Sequence, residues 1–275
     1  MKHNTIPVKL SSIGVALALT GGIAFGAANA SDTAANYTAG WSASTHPNLG
    51  SGFGAWSELD NNTAPPYAGT YLDQTSYNNN DGVLSAGYGW GTYANGSPGN
   101  GFITLTRPFT TSGGTASLLN QTFSIGLGSK SGVGGAGSSI ALNVGTAFNL
   151  SYAGGGADNF TLSVDGGAAT VVPVTAAQLG GGLLVSLTVT GPANSTAEGY
   201  ALGISPFAGG APYYVAAGTF DSSAFNTSNF SYTDMNTSGD EFVNNPTVAA
   251  VPEPSTLALF GLSGLATLLV VRRRK

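Results

Sequence analysis

From residue 183 to 190 the chain reads LLVSLTVT, and Leu183, Val185, Leu187 and Val189 recur with a period of two. Only an extended strand sends alternate residues to one face, so the run predicts a strand with one apolar side. The same period returns in FITLT at 102–106, in Phe123, Ile125 and Leu127, in Ile140, Leu142 and Val144, in Phe148 and Leu150, and in Phe160, Leu162 and Val164. Asp165-Gly166-Gly167 then offers a tight turn into a strand at 170–174, which makes a hairpin. Further strands are predicted at 200–204, 213–220, 230–233 and 241–249, and one helical turn or two at 175–179. No amphipathic helix of ordinary length is written in the sequence. Residues 31–100, with breaks at Pro65-Pro66 and 78–82, read as short strands joined by turns. These features predict an all-β chain, an antiparallel sandwich of jelly-roll type.

Both ends stand apart from this pattern. Residues 1–30 carry Lys2 and Lys9, an apolar stretch from Leu10, and the small residues Ala28 and Ala30 in Ala-Asn-Ala, the order of a signal peptide with its peptidase site. Residues 251–275 hold Pro252, Glu253 and Pro254, an uncharged apolar run at 256–271, and a basic end of Arg272, Arg273, Arg274 and Lys275. Prolines keep the triplet extended. The apolar run is just short of a usual membrane span, and the cations would hold its end on the cytoplasmic side. That order resembles the bacterial PEP-CTERM sorting signal. The resemblance implies secretion, a brief stay in the inner membrane as a single transmembrane helix, and processing by an exosortase at the triplet. The expected organisation is thus a signal helix at 1–30, an exported sandwich at 31–250 and a sorting segment at 251–275.

Between those ends lie only two cations, Arg107 and Lys130, against twelve of the thirteen acids, a formal charge of −10 for 31–250. So acidic a surface repels nucleic acid. There is no cysteine, which excludes thiol catalysis, disulfides and cysteine-based zinc sites. Of the two histidines only His46 belongs to the exported part, too few for a histidine metal site or a catalytic relay. The segments GSGFGAWSELDNN, GWGTYANG, ITLTRPF, QTFSIGL and GDEFVNNPTV resemble the layout of exported bacterial β-sandwich proteins with PEP-CTERM tails, which implies a concanavalin-like or jelly-roll fold and no activity.

Motifs of catalysis are incomplete. Glu58-Leu59-Asp60 resembles the start of the E-x-D-x-x-E motif of retaining jelly-roll glucanases, but Thr63 stands where the third acid belongs. No G-x-S-x-G elbow or phosphate loop occurs. No cofactor is expected; Asp60 and Asp81 offer oxygen ligands for a calcium ion, against the commoner use of such residues in Asx turns. Trp56, Trp90 and Tyr93 would contact a glycan if they share an exposed face, against a place in the core. The sequence therefore predicts a non-enzymatic exported protein of the cell surface or extracellular matrix, with biofilm and exopolysaccharide as its setting. Its expected partners are the secretion machinery, an exosortase, the inner membrane and extracellular polysaccharide. A lectin-like module or carbohydrate-active enzyme is the first alternative, and ice or surface binding the second.

Overall fold

The computed structural model describes residues 28–37, 41, 48–61, 68–74, 82–95, 101–109, 118–130, 132–155, 159–190, 197–221, 227–237 and 239–251. The leader before Ala28, the Pro-Glu-Pro triplet, the apolar run, the basic end and Asp81 lie outside them.

In chain order the strands are β1 (Ala28–Ser31), β2 (Ser57–Asp60), β3 (Ala68–Gln74), β4 (Tyr88–Ala94), β5 (Phe102–Pro108), β6 (Gln121–Ser129), β7 (Ser139–Val144), β8 (Phe148–Ala153), β9 (Phe160–Val164) and β10 (Thr170–Val172). After the short helix α1 (Ala176–Gly180) come β11 (Leu183–Thr190), β12 (Glu198–Pro206), β13 (Tyr214–Phe220), β14 (Asn229–Met235) and β15 (Asp240–Ala250). Each alternating run forms a strand because a half-buried sheet accepts apolar residues only every second position. In β7, Ile140, Leu142 and Val144 are buried while their neighbours are not; β5, β11 and β14 repeat the pattern. The turn between β9 and β10 holds Asp165 at φ 55° and Gly166 at φ 65°, the left-handed pair that Asp-Gly tolerates. β10 stops at Val172, short of the expected 174, because Pro173 has no N–H for the ladder. α1 is capped by Thr175, whose Oγ1 accepts from the Gln178 amide while Gln178 Oε1 accepts from the Thr175 amide.

One sheet runs β10-β9-β8-β7-β14-β5-β2. The facing sheet is built about β15, with β6 on one side and β4 and β1 on the other, and β3 outside β4. β11-β12-β13 lie beside β6, tied by a parallel bridge from Leu119 to Val189 and a 2.8 Å bond between Thr122 Oγ1 and Thr188 Oγ1. Every strand pairing is antiparallel. The protein is the expected all-β two-sheet sandwich. The chain changes sheet between β5, β6 and β7 and between β13, β14 and β15 in jelly-roll manner, whereas β7 to β10 and β11 to β13 are meanders. Among the described residues a large apolar core fills the space between the layers, from Trp90 and Phe123 to Leu187 and Phe220, with a small second cluster of Ala68, Ala94 and Ile103.

Where β15 bends, its register shifts between Asn244 and Thr247. Asn244 fixes the bend: its Nδ2 donates to the carbonyls of Val83 and Tyr88, and its Oδ1 accepts from the amides of Ala34 and Asn245. Gly82 (φ 70°) and Gly182 (φ 82°) pack backbone against backbone, so a Cβ on either would overlap the other's main chain.

Candidate functional site

The aromatic residues divide between two faces of β4. Trp90, on its inward side, is 0% exposed, and Trp56 and Trp41 are 4% and 3%. The three indoles pack on one another, with centroids 5.2 Å apart for Trp56 and Trp90, 6.1 Å for Trp41 and Trp56, and 6.4 Å for Trp41 and Trp90. The glycan-facing set expected from sequence is therefore not assembled: Trp56 and Trp90 belong to the core, where no sugar ring reaches them, and Tyr93 lies elsewhere. By strand alternation Tyr93 points away from the core, with Tyr71 of β3 on the same side. Each of these tyrosines lies over the glycine directly opposite it, Tyr71 over Gly91 and Tyr93 over Gly69. The absent side chains make room for the rings to lie flat along the sheet. Their centroids are 6.5 Å apart, both are half-buried, and Phe242 meets Tyr71 edge-on at 6.2 Å.

Inside the sandwich two carboxylates face one region from opposite sheets. Asp234 of β14 accepts from Thr237 Oγ1 at 2.7 Å and Thr92 Oγ1 at 3.0 Å. Glu241 of β15 accepts from Ser129 Oγ at 3.0 Å. Burial pushes the Asp234 carboxyl up to about 7 although both threonine bonds pull the other way, and Asp240 adds repulsion. Glu241 is raised well above the usual carboxylate range by burial, then by the charge of Asp234. The buried Tyr232 phenol is pushed up by burial, then by Glu241 and Asp234. Enclosure therefore favours the protonated form of both acids. Both are fully buried, so a polymer substrate does not reach them.

Arg107 forms the third cluster. In FITLTRP it shares the inward parity of Ile103 and Leu105, and its side chain is fully buried. Its Nη1 donates to Asp32 Oδ2 at 2.5 Å, Nη2 to Asn48 Oδ1 at 2.5 Å and Nε to the Gly54 carbonyl at 3.0 Å. The guanidinium also lies 4.7 Å from the ring centres of Phe53 and Trp56. Asp32 in turn accepts from Tyr37 OH at 2.5 Å, the Thr33 amide at 2.8 Å and Asn36 Nδ2 at 3.0 Å. Burial and the bond to Asp32 raise the Tyr37 phenol. This clamp fastens the segment after β1 to β5.

The remaining expected residues are scattered. Ala28 and Ala30 lie in β1, and Ala30 is buried beside β15. Glu58 accepts from Thr70 Oγ1 at 3.1 Å, which joins β2 to β3. Asp60 ends β2, and the next residue, Asn61, continues the pairing with β5: its side chain accepts the Phe102 amide. Among the described residues no group of three acids or histidines is placed to hold a metal ion, and no helix is long and apolar enough to cross a membrane. Sequence reasoning missed the Arg107 clamp and the Asp234 and Glu241 pair. The signal that finds them is a charge at an inward position of an alternating strand: Arg107 after Leu105, Asp234 after Tyr232, Glu241 before Val243.

Residues 250–275 match the family description of a PEP-CTERM protein-sorting motif. The motif marks an exported protein that an exosortase sorts and that is held at the membrane only until it is processed. No curated protein matches the chain. Among solved structures the chain is similar to one described as a receptor binding domain, at 6% identity over 66% of this chain and 42% of that one, with a TM-score of 0.35. It is also similar to the N-terminal endo-1,4-beta-D-xylanase 10B of Clostridium thermocellum, comprising CBM22-1 and GH10 modules complexed with xylohexaose, at 9% identity over 71% of this chain and 26% of that one, with a TM-score of 0.26. The chain spans less than half the length of either structure, and at these TM-scores neither likeness bears on activity.

Proposed function

We propose that the chain is a non-enzymatic structural protein of the cell surface or extracellular matrix, cut from its leader after Ala30 and released or transferred at Pro252-Glu253-Pro254. The observation that carries this reading is the join between fold and label: β15 ends at Ala250, the residue at which the sorting motif begins. Cleavage at the triplet leaves every strand of the sandwich whole. A peptidase reads an extended chain, so the Ala28 and Ala30 site is open only before β1 docks on β15. The paired carboxylates of Asp234 and Glu241 are enclosed, and Glu58 is tied to Thr70, which favours a passive role in a biofilm or exopolysaccharide matrix. Replacing Glu253 and Pro254 by alanine should leave an uncleaved membrane-bound form. Processing and release at the normal rate would refute the reading.

A second reading, glycan binding, is favoured by one observation: Tyr71 and Tyr93 lie side by side on an outward face. Tyr93→Ala should abolish retention on an exopolysaccharide column without changing the melting temperature. Retention equal to the parent's, or none by the parent itself, would dismiss it.

A further inference from the structure

The region of Asp234 and Glu241 leaves two polar atoms unanswered. Glu241 Oε2 and the Tyr232 hydroxyl sit on residues 0% and 1% exposed, and neither has a hydrogen-bond partner among the described residues. Register gathers the groups around them. Glu241 of β15 lies opposite Thr92 of β4 on one side and Ser129 of β6 on the other. Thr92 Oγ1 is 3.0 Å from Asp234 Oδ2 in the facing sheet and 3.4 Å from the Glu241 carbonyl, so one hydroxyl spans the layers here. Tyr232 stands two residues before Asp234 on β14 and shares its inward face. Burial raises the Tyr232 phenol first and the charges of Glu241 and Asp234 next, which sets both carboxylates near it. The side chains so gathered present only oxygens.

We propose that Asp234 and Glu241 form an interior calcium site that ties the two sheets together, with Tyr232, Thr92 and Ser129 supplying neutral oxygens. An all-oxygen set suits a hard cation, and calcium accepts about six to eight oxygens in irregular geometry, whereas magnesium demands a regular octahedron. Two acids suffice, because a hydroxyl that donates to a carboxylate keeps lone pairs for the ion. The charge also fits: one divalent cation cancels two carboxylates, and buried charges persist only when paired or bound to a metal. No basic side chain competes for them. Of the two cations between residues 31 and 250, Arg107 is bound to Asp32 and Lys130 is turned to Asp240. Without the ion, protons take its place, in keeping with the upward shift that burial gives both carboxyls. The site is enclosed, so the ion enters before β15 closes the sheet. The inference does not depend on the sorting reading, since it concerns the folded chain however delivered.

The test is refolding of the full chain from urea in detergent, with either a chelator or calcium chloride present, followed by thermal melting and equilibrium dialysis against radioactive calcium. The parent should bind calcium with a Kd of ~10⁻⁴–10⁻³ M, the range of extracellular modules. Calcium should raise its melting temperature at pH 7 and leave it unchanged at pH 5, where protons hold the carboxylates. Asp234→Asn and Glu241→Gln keep the side-chain shape and remove a charge, and each should weaken calcium binding by about tenfold or more. Asp60→Asn at the end of β2 should change nothing. If one inner variant folds poorly the other decides, and if both do, the parent's pH dependence decides. A parent that binds no calcium overturns the proposal, as does equal stabilisation by calcium at pH 5 and pH 7. So does an inner variant that holds calcium as tightly as the parent, or a crystal grown in calcium that shows only water at Glu241 Oε2.

Discussion

Replacing Asp32 by alanine is the most searching test of how this sandwich is held. The carboxylate accepts four hydrogen bonds, from Arg107 Nη1, Tyr37 OH, the Thr33 amide and Asn36 Nδ2. Both members of the ion pair are fully buried. Removing the acid leaves a guanidinium enclosed by Phe53 and Trp56 with no counter-charge, a change that costs about 3–5 kcal/mol. At ~1.4 kcal/mol per power of ten, the folded-to-unfolded ratio falls by roughly two to nearly four powers of ten. For a domain of this size the melting temperature should drop by about 6–20 °C. Urea unfolding read by tryptophan fluorescence is a direct assay, because Trp56 touches the guanidinium. The partner change Arg107→Met removes the charge instead of stranding it, so the double variant should be more stable than the sum of the singles by about 2 kcal/mol or more. A loss below about 1 kcal/mol for Asp32→Ala, or additive singles, would refute the claim that the clamp fastens the N-terminal segment.

Other outcomes follow from the core. Asp234 has its folded pKa at about 7 against an unfolded 3.8, so the folded chain binds more protons over that interval. Stability should fall as pH rises from 4 to 7, by about 3 kcal/mol from this group alone, with Glu241 acting in the same direction. Asp234→Asn should flatten the profile measured by urea unfolding between those limits, and an unchanged slope would contradict the assignment. Gly182→Ala forces a side chain into the Gly82 backbone at φ 82° and should cost at least about 2 kcal/mol by thermal melting. Trp90→Ala should lower stability by about 3–5 kcal/mol through the cavity it leaves, whereas Tyr93→Ala should move it far less.

The strands were legible where one face is buried and the other is not, because burial writes itself into alternate positions. β7, β9, β11 and β14 are read almost to their ends in this way. The chemistry inside was less legible, since an inward charge says that a partner exists but not which one. Arg107 meets Asp32 across 75 residues, and no local pattern names that acid. The tryptophans show the converse limit: an indole suits a sugar platform and a core equally well, and only the sheet's facing decides. β1 was hidden for another reason, because its residues, 28–31, double as the end of an export leader.

The position of β15 sets the order in which the molecule can come into being. It is the last strand made, yet it lies between β6 and the strands β4 and β1, so one sheet lacks its middle until residue 250 has crossed the membrane. Ser31 pairs with Thr247, and such distant pairings close late and slowly. A chain threaded outward from its first residue therefore stays open through nearly the whole of its passage. It can close only when the sorting segment itself arrives at the bilayer, so completion of the fold and arrival of the label are nearly one event in time.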